Sequence, residues 1–185
     1  MGDRYGVWWI KTFFMQAPFD FPGGKNLYPD FKKHNTDTSP FGHISDPEQL
    51  HSLMIEPPIY LKALLDDFFQ LGGKLVIRKM QQPSDVLELD ESTIMNCTGL
   101  GSNKLFGDKT LIPVKGQLSV LLPQPEVDYG YVNLTPGGLL YMFPRKDGII
   151  LGGTSEKNNW SLSPNEAESK RILDGHKRIA EGMKK

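Results

Sequence analysis

The chain has 185 residues, enough for one domain or a sizeable piece of a two-domain protein; with 38% hydrophobic and 23% charged residues it can pack a core, and wholesale disorder is excluded. A formal net charge of −1 gives no electrostatic footprint for nucleic acid, and no apolar run approaches the roughly 20 residues that span a bilayer. The single cysteine, Cys97, excludes an intrachain disulfide and a cysteine metal cluster, and it fits a reducing cytosol.

Met1 to Tyr5 lack the basic-then-apolar order of a signal peptide. Val7 to Phe14 is rich in β-branched and aromatic residues and predicts a strand that starts almost without a leader. Gln16 to Gln49 holds five prolines and three glycines among polar residues and predicts a long surface excursion. Its His34 and His43 lack metal-ligand spacing and read as solvated loop histidines.

Pro57-Pro58 introduces Ile59 to Leu71, where Ile59, Leu61, Leu64, Leu65, Phe68 and Phe69 recur at helical spacing. Gly72-Gly73 supplies the helix stop. Lys74 to Met80 predicts a strand, Pro83 to Leu89 a short helix or turn, and Thr93 to Asn96 a second strand. This order is the grammar of a parallel α/β unit. Four antiparallel strands are then predicted, at Val114–Leu122, Tyr129–Leu134, Leu139–Pro144 and Gly148–Thr154, with a hairpin at Lys146-Asp147-Gly148. Ser163 as N-cap, Pro164 at N1 and Glu166 as capping-box partner open a last helix that runs to about Met183.

Four stretches bear on chemistry. Asn96-Cys97-Thr98-Gly99 reads either as a structural strand end or as a turn that sets the backbone N–H of Thr98 or Gly99 near a nucleotide. Tyr141, Phe143 and, if the strand passes Pro144, Arg145 share one strand face. Tyr141 is then a core phenol, or one that binds a small carboxylate. Leu151-Gly152-Gly153-Thr154 and Lys115-Gly116-Gln117 mark close packing and say little alone. Asp66-Asp67 reads as the wet face of a helix. No G-x-G-x-x-G turn, phosphate-binding P-loop, zinc-protease or nucleophile-elbow motif occurs.

In order, "YLKALLDDFFQLGGKLVIRKM", "IMNCTGLGSNKLFGD", "PVKGQL", "YMFP" and "GIILGGT" resemble the D-amino-acid oxidase family of FAD-dependent flavoproteins. The resemblance covers Met54 to the end and, loosely, the first strand. It implies an α/β (α+β) fold: partial Rossmann-like elements of an FAD domain, at 54–110 and 163–185, beside a mostly antiparallel substrate-domain sheet with flanking helices, at 1–53 and 111–162. It implies FAD as cofactor, with Met80, Cys97, Thr98 and Gly99 beside the dinucleotide. It implies a small amino-acid substrate whose carboxylate meets Tyr141, with Arg145 as a stand-in for the family's arginine, which would lie beyond Lys185. The implied activity is oxidative deamination of a D-amino acid to a 2-oxo acid by hydride transfer to flavin.

The chain departs from that pattern. The family's N-terminal glycine-rich strand–turn–helix, which grips the pyrophosphate, is absent, as is the acidic ribose ligand that follows it. A second carboxylate-binding tyrosine would fall near Gly137. The alternative expectation is therefore a non-catalytic truncated module, or a subunit whose partner chain supplies the pyrophosphate loop. Parallel strands without their neighbours leave an open edge for self-association or a partner. On this reading the isolated chain binds no FAD and is colourless. Neither nucleic acid nor membrane is expected as a partner. A third reading, an unrelated α+β ligand-binding protein, requires a pocket away from Cys97 and Tyr141.

Overall fold

The computed structural model describes residues 2–15, 24–42 and 46–184; His43 lies outside them. Strand β1 is Val7–Phe14, as the composition predicts. It is the pivot of a seven-stranded sheet. On one side β1 pairs with β3 (Glu48–Ile55), which in turn carries the two-residue strand β2 (Lys32–Lys33). On the other side lie β6 (Tyr129–Thr135), β7 (Gly138–Arg145), β8 (Gly148–Gly152) and β5 (Leu118–Leu121). Every pair is antiparallel except β1–β6, which is parallel. Strands β4 (Val114–Lys115) and β9 (Glu156–Lys157) form a separate ribbon. The fold is α/β with a mostly antiparallel sheet.

The β6–β7–β8 run bears out the antiparallel prediction, and the hairpin turns where Arg145 pairs with Gly148. The stretch expected as one strand from Val114 is broken into β4 and β5. Strand β3 takes in Glu48 and Gln49, the end of the expected loop. Its apolar alternation is diluted by Glu48, Gln49 and His51, and its eight residues become a strand by pairing one-to-one with β1.

Helix α5 (Glu166–Glu181) closes one face of the sheet. Its buried residues Ile172, Gly175, His176 and Ile179 follow helical spacing. They meet Phe13, Met15, Tyr131, Leu140, Met142, Ile149 and Leu151 from the sheet, with Phe41 from the long loop, in one core. A Cβ on Gly175 would lie 2.7 Å from Leu140 Cδ1, so glycine lets helix and sheet approach. The helix starts two residues later than expected. Asn165, not Ser163, is the cap, its side-chain oxygen accepting from the Glu168 N–H at 3.2 Å.

Helix α2 (Pro57–Gln70) begins on its prolines and ends where Gly72 takes φ +87. Only Ala63 of this helix is buried. It packs against α1 (Gly2–Tyr5), where the Tyr5 hydroxyl donates to Asp67 at 2.6 Å beside an Arg4–Asp67 ion pair. Asp66 binds Lys62, one turn back, at 2.6 Å.

The expected strands at 74–80 and 93–96 are not strands. Leu75, Val76, Ile77 and Met95 are exposed, and no described strand pairs with either stretch. A strand is completed by its neighbour's ladder, and the parallel α/β unit has none here. The short helix α3 (Pro83–Leu87) forms as expected, and α4 (Gly101–Phe106) follows the small-residue turn. Among the described residues, no helix is long and apolar enough to cross a membrane.

Candidate functional site

Strand β7 passes Pro144 and ends at Arg145, so Tyr141, Phe143 and Arg145 do share a face, the one turned away from α5. Tyr141 sits opposite Val132 on β6 and Gly152 on β8. Its ring lies on Gly152 so closely that any Cβ there would overlap Cζ. The Phe143 ring flanks it, centroids 5.7 Å apart. This packing half-buries the ring and raises the phenol pKa through desolvation.

The Tyr141 hydroxyl has no hydrogen-bond partner among the described residues. Other tyrosines differ: Tyr5 donates to Asp67, Tyr129 to the Met183 sulfur at 3.3 Å, and Tyr131 shares a 2.5 Å hydrogen bond with His176 Nδ1. A phenol held rigid by its ring with its hydroxyl unspent is suited to donate to a ligand oxygen.

Arg145 is not brought to Tyr141. They lie four positions apart along the strand, about 13 Å. Its guanidinium is held by Asp147, Nε donating to Oδ1 at 2.8 Å, and this pair keeps the Asp147 carboxyl below the usual range. Arg145 instead lines an open groove of about 690 Å³ with Trp8, Lys146 and Pro144. The Lys146 ammonium stands 5.5 Å from the Trp8 ring centroid.

The glycine motifs resolve into structure. Gly152 is the platform under Tyr141. Gly153, at φ +142, lets β8 end against the Leu139 carbonyl, where a side chain would collide. Gln117 ties the bend between β4 and β5 to α5: its amide accepts from Asn165 N–H at 2.7 Å and donates to Asn165 O at 3.0 Å and Ser169 Oγ at 2.5 Å. His34 is engaged by Gln49 at 3.0 Å and the Thr38 carbonyl at 3.2 Å.

Met80 is half-buried, and Cys97, Thr98 and Gly99 are exposed. Asn96 closes the local turn on itself. It accepts from Thr98 N–H at 3.1 Å and Thr98 Oγ1 at 2.7 Å, and donates to Ser102 Oγ at 3.0 Å. The Thr98 N–H, one of those expected to face a nucleotide, is thus already used. Gly99 takes φ +53 with open space where a Cβ would sit. No buried orphaned polar atom occurs in either stretch among the described residues. These four residues offer an open wall with no cradle, and by themselves they do not fit FAD as a closed site.

Sequence reasoning did not find Arg171 and His176, the α5 side chains that reach the sheet beneath Tyr141. Their signal is the polar residue set into an apolar stripe, His176 four residues after Ile172.

A sequence profile described as FAD dependent oxidoreductase (DAO) matches residues 49–183. The chain is 30% identical to a D-amino acid oxidase of Dugesia ryukyuensis over 97% of its own length and 54% of that protein. It is 28% identical to a D-amino-acid oxidase of Dictyostelium discoideum over 92% of its length and 47% of that protein. It is 37% identical to a D-aspartate oxidase of Homo sapiens over 66% of its length and 35% of that protein. The chain therefore spans about half the length of the first two of these relatives. With most of its length matched, the chain belongs to the DAO family of FAD-dependent oxidoreductases.

Proposed function

We propose that the chain contributes the substrate-facing sheet of a flavoenzyme that oxidises a D-amino acid to a 2-oxo acid and ammonia. The observation that carries this is Tyr141: a ring clamped on Gly152 whose hydroxyl has no hydrogen-bond partner among the described residues. Its donor would meet the substrate carboxylate in a charge-assisted hydrogen bond and fix the substrate's orientation. The redox chemistry of such enzymes is the cofactor's. The names of the relatives support the substrate class, and the family supports FAD.

In this proposal FAD binds only once further residues close the wall formed by Met80, Cys97, Thr98 and Gly99. These come from a longer form of the protein or from a partner chain, and the apolar stretch 74–80 is where they pair. The exposed Cys97 accords with a reducing compartment.

Two measurements test it. Purified chain titrated with FAD should show no stoichiometric flavin absorption or fluorescence quenching. A yellow protein with one flavin per chain would overturn the requirement for added residues. In a flavin-loaded form, Tyr141→Phe should raise KM for the D-amino acid about tenfold, the worth of one charged hydrogen bond. An unchanged KM removes Tyr141 from the site.

A further inference from the structure

Helix α5 lies on the face opposite Tyr141, yet its Arg171 reaches the backbone on which Tyr141 depends. Tyr141–Gly152 is the terminal pair of the β7–β8 ladder; toward the β6–β7 turn, β7 has no further partner on β8. Gly152 also ends the β5–β8 ladder, opposite Leu118. Terminal pairs fray unless something holds the chain beyond them. Beyond the pair, β7 runs back through Leu140 and Leu139, laddered to β6 alone, into Gly138 and Gly137 of the turn that enters it, and β8 ends on Gly153. Gly138 and Gly153 sit at φ +111 and +142, where side chains are disfavoured. They bring no side-chain packing of their own to hold the ends in place.

Arg171 supplies that hold. Its guanidinium donates from Nη2 to the Gly153 carbonyl at 3.0 Å and from Nη1 to the Gly137 carbonyl at 3.1 Å. Nε donates to Glu168 at 3.0 Å, which orients the fork. The guanidinium also fills the space outside Gly138, 3.3 Å from where a Cβ would stand. One rigid planar group thus staples the entry of β7 to the exit of β8, at the open end of the ladder beyond the Tyr141–Gly152 pair. Lysine, with a single point of charge, cannot span both carbonyls in this way.

We propose that Arg171 is a positioning residue that fixes the Gly152 platform and thereby the direction of the Tyr141 hydroxyl. The role rests on the reading of Tyr141 as the substrate-facing phenol, but the placement itself is a property of this chain and is tested without substrate.

The test uses the chain with ring-labelled tyrosine, its Tyr141 signal assigned by its loss in Tyr141→Phe. In Arg171→Met, which keeps the apolar stem, and in Arg171→Lys, which keeps the charge, the Tyr141 ring signals should shift and its phenol should titrate closer to a free tyrosine. The Tyr129 and Tyr131 signals should stay in place. Amide exchange across Leu151–Gly153 should rise about tenfold or more. Unmoved Tyr141 signals in both folded variants, whatever their melting temperatures, would overturn the proposal. Unfolding of both would do the same, by assigning Arg171 to stability alone. The KM of Tyr141→Phe tests the substrate reading separately, so either can fail without the other.

Discussion

The Tyr141 ring lies across Gly152, its ladder partner on β8, in a space that exists because Gly152 has no Cβ. Gly152→Ala should therefore force the ring off its platform and destabilise the fold by about 1–3 kcal/mol, the usual cost of overpacking. Urea denaturation measures this. Tyr141→Phe should leave stability within about 0.5 kcal/mol, because the hydroxyl makes no bond to any of the described residues. A loss well above that would mean the hydroxyl is spent inside the fold.

The buried Tyr131–His176 pair makes stability depend on pH. Burial lowers the His176 pKa below its ordinary value and raises that of Tyr131. The unfolded chain then binds the histidine's proton more readily than the folded one. Stability should be fully present above the ordinary histidine pKa of about 6.5 and fall as pH drops below it. The urea midpoint should be lower at about pH 5.5 than at 7.5, and His176→Leu should flatten that slope. Asp67, Asp147 and Asp174 titrate below the usual carboxylate range in the folded chain, so their losses come at lower pH and leave this window clear. Tyr131→Phe should cost about 1–3 kcal/mol by stranding a buried ring nitrogen.

At the start of α5 the cap is Asn165 and not the expected Ser163. Asn165→Ala should cost about 1 kcal/mol, while Ser163→Ala should change stability by less than about 0.5. Equal losses would place the helix start at the sequence-predicted position instead. Gln117→Ala, which removes three bonds to Asn165 and Ser169, should cost more than either, about 2–3 kcal/mol.

Leu75, Val76 and Ile77 form an apolar stretch with no strand beside it, Ile77 being 96% exposed. Under the proposal that this stretch pairs with a partner, the isolated chain should self-associate with rising concentration. Ile77→Glu should shift sedimentation toward monomer without loss of folded signal. Identical sedimentation of the two proteins would move the pairing surface elsewhere.

Much of the fold was legible because it follows from local rules. Strand β1, the β7–β8 hairpin, the glycine end of α2 and the amphipathic α5 each carry their own periodicity or turn chemistry. The family order of short motifs was legible too, and the matched profile agrees with it. The glycine pairs were visible as marks of close packing, though not what packs on them: a tyrosine ring on Gly152 and a carbonyl against Gly153.

What the sequence alone determined is the set of segments able to be strands or helices, since alternation, helical spacing, proline and glycine act within a few residues. Tertiary structure decided which of them found partners. Glu48–Ile55 became a strand because β1 pairs with it, and Lys74–Met80 did not because no described strand does. It also decided which polar groups were spent. Tyr131 went to His176 and Arg171 to two glycine carbonyls, while the Tyr141 hydroxyl has no partner among the described residues. Ladder pairing and hydrogen bonding join residues far apart in the chain, so no local pattern encodes their outcome.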